Sequence, residues 1–128
     1  MPANQSGWLM GMKIRQSCKI KELGDALVSE GFLTLDKQAD ALGIGRSTAW
    51  TILRANHKSS GLSAAIINRM LAAPRLPPLV QATILEYVEE KLAGSYGHSK
   101  EPLRRFAAGL TVEARQGALD RRFARWAA

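Results

Sequence analysis

The chain has 128 residues, 46% of them hydrophobic and 23% charged, a composition that supports one packed domain and excludes both wholesale disorder and a multi-domain enzyme. Lysine and arginine outnumber aspartate and glutamate by 18 to 11, and the resulting net charge of +7 is the footprint of a polyanion binder. By region, residues 13–34 carry +1, residues 35–58 carry +2, residues 59–98 are neutral and residues 99–128 carry +4.

The single cysteine, Cys18, excludes an intrachain disulfide framework and a cysteine-built zinc site, and it suits a reducing, bacterial-type cytoplasm or nucleoid. Every apolar stretch is broken by charge or proline before the roughly 20 residues that a membrane span needs, so no membrane partner is expected. Residues 1–12 are polar and glycine-containing, without the basic and apolar regions of a signal peptide, and read as a flexible N-terminal extension.

From there the spacing predicts helices in order. Ile20, Leu23, Leu27 and Val28 form a first stripe, ended by Gly31-Phe32. Leu35, Ala39 and Leu42 form a second, with Thr34 as its N-cap. Gly43-Ile44-Gly45 breaks the chain before a third helix, Arg46 to Arg54, whose inward residues are Ala49, Ile52 and Leu53. Leu62, Ile66, Ile67, Met70 and Leu71 mark a fourth, capped by Ser60 or Ser63. Pro74, Pro77 and Pro78 make a stiff connector, because each removes a backbone donor and restricts the residue before it. Val80, Ile84, Tyr87 and Val88 line a fifth helix.

The compact domain is expected to span residues 13–95, followed by a basic linker and partly helical tail over 96–128. That tail carries two weaker stripes, Leu103-Phe106-Ala107-Leu110 and Leu119-Phe123-Trp126, among several arginines. The expected fold is therefore all-α, a compact bundle of about five helices with a basic C-terminal extension.

The pair of helices from Leu35 to Arg54 meets the needs of a helix-turn-helix. Such a unit requires a small residue at the helix crossing (Ala39), a glycine able to take positive φ (Gly43), an apolar plug (Ile44), and closing residues beneath (Leu42 and Ile52). Residues Ala39-Asp40-Ala41-Leu42-Gly43-Ile44-Gly45-Arg46-Ser47-Thr48-Ala49-Trp50-Thr51-Ile52 resemble the helix-turn-helix of phage-repressor-like, Cro-type and lac-repressor-type regulators, over roughly Ile20 to Ala73. Ala49 stands where those families place a branched aliphatic, and Gly45 replaces a serine-like cap. The resemblance implies an all-α DNA-binding domain of four or five helices whose third helix enters the major groove of double-stranded DNA.

Helical spacing turns Arg46, Ser47, Trp50, Thr51 and Arg54 away from the inward positions, with Trp50 open to either that face or a place folded back into the core beside Ala49. Arginines there suit guanine edges, and Ser47 and Thr51 suit adenine, phosphate or a thymine methyl. Lys37, Gln38 and Lys58 are candidate phosphate contacts. His57 and His98 lack partners at metal spacing, and no catalytic constellation, phosphate loop or cofactor motif stands out, so neither an enzyme nor a cofactor is expected. The leading reading is a sequence-specific transcriptional regulator, a repressor, binding an inverted repeat as a homodimer. The alternative is a protein-interaction module such as an antiactivator or antitoxin, docking through the Val80–Val88 helix or the C-terminal tail.

Overall fold

The computed structural model describes the backbone of residues 3–55 and 60–127, with side chains over 9–54 and 60–122. Among these residues it is all-helical: α1 (Ala3–Ser29), α2 (Leu35–Leu42), α3 (Arg46–Trp50) running into a π-helical turn (Thr51–Ala55), α4 (Ala64–Leu71), α5 (Pro78–Leu92), α6 (Lys100–Gly109) and α7 (Val112–Ala127). No helix among the described residues is long and apolar enough to cross a membrane.

The helix ends follow local chemistry. Gly31 takes φ 93° after α1, and the Phe32 amide closes back on the Leu27 carbonyl at 2.9 Å. Thr34 and Ser63 cap α2 and α4 by accepting from the amides of Lys37 and Ile66, and Ser63 rather than Ser60 is the cap. Pro78 occupies the first turn of α5, where its missing N–H leaves no helical bond unmade.

α5 is the centre of the bundle, packed against α1, α4, α6 and α7. Val80, Ile84, Tyr87 and Val88 are all buried, so this stripe is core and offers no docking surface itself. Burial of each such side chain contributes roughly 1.5–3 kcal/mol of transfer free energy.

Two expectations from the sequence change. α1 begins at Ala3 instead of near the first apolar stripe, so the stretch read as a loose extension is helical from that point. Its N-terminal half has a surface to pack on: Leu9 and Met12 lie against Gly97, where an added Cβ would come within 3.2–3.5 Å of their side chains. On the same helix Ile20, Leu23 and Leu27 face inward as expected, whereas Val28, one residue round from Leu27, is exposed.

The second change concerns the chain after residue 95. The segment expected as a linker holds Tyr96, which is wholly buried beside Tyr87 with ring centroids 5.2 Å apart. Phe106, Leu110, Ala114 and Ala118 then join the same apolar cluster as Ile20, Leu42 and Ile67. Asn68 of α4 fixes the corner between α6 and α7, donating to the Gly109 carbonyl and accepting from the Thr111 amide, both at 2.9 Å. The bundle thus has seven helices among the described residues rather than about five.

A buried polar knot joins α1, α5 and the segment entering α4. The Tyr87 hydroxyl donates to Gln16 Oε1 and accepts from the Leu62 amide, each at 2.8 Å. Lys91 Nζ donates to the carbonyls of Ser60 and Leu62 at 2.8 and 2.9 Å, and lies 4.3 Å from the centroid of the Phe106 ring. Gly61 is required between them: it holds φ +70°, and a Cβ there would collide with Gln16 Oε1 and the Tyr87 hydroxyl. Nearer the surface, Lys19 of α1 bridges Glu22, Glu86 and Glu90, and Arg121 of α7 reaches the other oxygen of Glu86 at 2.7 Å. Burial alone would lower the Lys19 pKa, but its hydrogen bonds to Glu22 and Glu86 and the charge of Glu90 outweigh burial and raise it.

Tyr87→Phe removes the hydroxyl but keeps the ring, breaking the bond to Gln16 and stranding the Leu62 amide. The expected loss is about 1–3 kcal/mol, read from the midpoint of urea unfolding at unchanged slope. Lys91 supplies a pH test. Burial, and then the charge of Lys13, push its pKa down to about 8 from the ordinary 10.5. Between pH 8 and 10.5 the unfolded chain therefore binds a proton that the folded chain has released, and stability rises with pH through that window. The stability of wild type relative to Lys91→Met should grow by on the order of 2 kcal/mol from pH 8 to 10.5, and stay level below pH 7. A flat difference would show that Lys91 carries no depressed pKa.

Candidate nucleic-acid interface

α2 and α3 are joined by three residues. Gly43 adopts φ 68° and its amide bonds the Asp40 carbonyl, while the Ile44 amide returns to the Ala39 carbonyl, both at 3.1 Å. Ile44 is buried in the turn as its apolar plug. A Cβ on Gly43 would also come within 2.9 Å of Ala73 Cβ, so positive φ and close packing both demand glycine there.

Ala39, Leu42, Ala49 and Ile52 are buried beneath this pair of helices, and Leu53 is half-buried over Gly24 of α1, with an added Cβ at Gly24 lying 3.9 Å from it. Ala49 is wholly buried. Gly45 precedes α3 in extended conformation and makes no side-chain cap.

The structure brings Arg46, Ser47, Trp50 and Arg54 together on the exposed side of α3 and the π-helical turn. Trp50 is 53% exposed and does not fold back over Ala49. Thr51 is half-buried and its hydroxyl donates to the Ser47 carbonyl at 3.0 Å. That back-bond sits where the helix widens from α to π, and a hydroxyl on the preceding turn competes with the regular ladder. The sequence expectation of one regular helix to Arg54 thus gives way to five α-helical residues and a wider turn.

Of the phosphate candidates, Lys37 is exposed, at the start of α2. Gln38 is not available: it is buried, with its amide donating to the Phe32 carbonyl at 2.9 Å, so it serves to tie α2 to the end of α1. Lys58 and His57 lie outside the described residues.

Asp36 is the residue that the sequence analysis missed. Its Oδ1 accepts from Arg46 Nε at 2.7 Å across the turn, with both side chains more than 70% exposed. Such a pair is worth about 0–1 kcal/mol and opens readily. Nothing in helical spacing within one element could reveal it, because the two residues belong to different helices. Asp40 and Arg75 stand 3.9 Å apart and add a weaker surface pair beside it.

No family model, curated protein or solved structure matches the chain. No group of three or more histidine, cysteine, aspartate and glutamate side chains among the described residues is placed to hold a metal ion.

Because Trp50 lies outside the core, Trp50→Ala should change unfolding free energy by no more than about 0.5 kcal/mol. Gly43→Ala, by contrast, should cost about 1–3 kcal/mol through positive φ and the contact with Ala73. Chemical denaturation of the two variants side by side separates an exposed surface residue from a required turn.

Proposed function

We propose that the chain is a sequence-specific DNA-binding regulator that places α3 in the major groove of double-stranded DNA and acts as a homodimeric repressor. The observation that carries this reading is the two-sided character of α3: Ala49 and Ile52 are buried, while Arg46, Ser47, Trp50 and Arg54 stand together on the open side. A helix held rigidly from below, with donors and a flat aromatic above, suits base-edge contact. The resemblance of the Ala39–Ile52 stretch to repressor-type helix-turn-helices supports the same reading, as does the net charge of +7.

In this reading the Arg46–Asp36 pair is a latch. Free, it holds the guanidinium against α2. On DNA the arginine exchanges a carboxylate for a guanine edge, and the carboxylate it leaves repels phosphates at every sequence, so that only a cognate base edge compensates for the exchange. Lys37 and Arg54 supply the flanking positive charge.

A binding site is selected from random duplex DNA and the affinities of variants are measured by fluorescence anisotropy at matched salt. Arg54→Ala should weaken the selected site by about 1–3 kcal/mol, and Asp36→Asn should strengthen binding to mixed-sequence DNA while narrowing the gap between selected and mixed sites. If no sequence is enriched and affinity does not fall with salt, the DNA reading is lost and a protein-interaction module takes its place.

A further inference from the structure

The side of α1 turned away from the core carries Ile14, Cys18, Lys21, Asp25 and Val28 at helical spacing, with Ile14 56% and Val28 49% exposed. Between this stripe and the π-helical turn runs an open groove of about 500 Å³, walled by these residues and by Leu53. Large apolar side chains exposed beside a groove mark a contact surface. The charges on it say which contact. Lys21 and Asp25 lie one turn apart on the same face and make no ion pair among the described residues. A polyanion or a polycation would meet one of them with repulsion. A stripe carrying opposite charges on either side of one point is instead complementary to itself after a half-turn, which is the requirement of a two-fold symmetric interface.

We propose that this stripe is a homodimer interface in which α1 packs antiparallel against α1 of a second copy, about a two-fold axis at the level of residue 23. Both sets of charges are then paired: Lys21 faces Asp25 of the second copy, and Asp25 faces its Lys21. The same register sets Cys18 opposite Val28 of the second copy and carries Ile14 just beyond the end of its α1, to the level of residue 32, beside the exposed Leu33. Gly24, bare of a side chain, sits beside the axis. Arg54 lines the same groove, so the contact reaches the edge of the proposed reading face. This inference deepens the homodimer of the proposed function and rests on that reading for its use. Measured without DNA, it stands or fails separately from DNA binding.

Sedimentation equilibrium of the full chain under reducing conditions should give a dimer. Lys21→Asp, which sets four carboxylates around the axis, should weaken dimerisation roughly tenfold or more, and Lys21→Asp combined with Asp25→Lys should restore it. Because the second change also restores opposite charges within the helix, circular dichroism and urea unfolding of each variant separate a loss of fold from a loss of dimer. Register is tested by cross-linking. Cys18 and residue 28 lie about 15 Å apart along one helix, too far for an intrachain disulfide. Under mild oxidation Val28→Cys should therefore give a covalent dimer faster than wild type, and Ser29→Cys, off the stripe, should not. A monomeric wild type, a double charge exchange that fails to restore dimerisation, or equal cross-linking of Val28→Cys and Ser29→Cys would each overturn the proposal.

Discussion

The structure depends on the hydroxyl of Tyr87. It is one of the few polar atoms in the bundle centre, and it joins three pieces of chain that no apolar contact would hold in register: α1 through Gln16, α5 through its own backbone, and the segment after the π-helical turn through the Leu62 amide. Apolar packing decides that these elements collapse together, but it is tolerant of sliding. A buried hydrogen bond is not, because a displaced donor or acceptor is left without water or partner. Lys91 extends the same constraint by taking the Ser60 and Leu62 carbonyls, so that both the amide and the carbonyl of Leu62 are held by side chains of α5.

The proposed reading face is held by a separate set of contacts. α3 is only five residues long and cannot hold its own orientation by backbone bonding alone, since a helix of that length is far below what is stable in isolation. It is held at its start by the Gly43–Gly45 turn, below by Ala49 and Ile52, and at its far end by Leu53 lying over α1. The chain leaving the π-helical turn re-enters the described structure at Ser60, where Lys91 holds it. A short helix fixed at every side presents its outward groups with little conformational freedom, and the freedom that remains lies in the long side chains of Arg46 and Arg54.

Much of the helical architecture was legible in the sequence because it rests on local signals. The stripes of α2, α4 and α5, the Thr34 and Ser63 caps, the Gly31 and Gly43 ends and the inward set Ala49 and Ile52 all depend on residues within a few positions of one another. What escaped depends on distance. α1 reads as starting late because Ala3 to Met12 has no strong stripe, and its packing surface, Gly97, is far along the chain. The segment from Gly94 to Lys100 reads as a linker by composition, yet Tyr96 in its middle is core because Tyr87 is there to receive it. Gln38 has the chemistry of a phosphate ligand, and only the position of the Phe32 carbonyl gives it a different task. Of the outward set of α3, the exposure of Arg46, Ser47, Trp50 and Arg54 was legible, whereas the half-buried place of Thr51 and the pairing of Arg46 with Asp36 were not.

In the proposed function, the Asp36–Arg46 pair reconciles a net charge of +7 with selectivity. A reading face with only cations would bind any phosphate backbone, since the phosphate term is strong and indifferent to sequence. Here Asp36 and Asp40 stand exposed among Lys37, Arg46 and Arg75. Each carboxylate subtracts from the general attraction at every sequence alike, and it is compensated only where an arginine released from it finds an acceptor at a base edge. In the proposed function the acidic residues of α2 therefore lower affinity in order to enlarge a difference. The excess positive charge that restores overall attraction lies mostly in α6 and α7, in a part of the bundle joined to α4 and α5 rather than to α3.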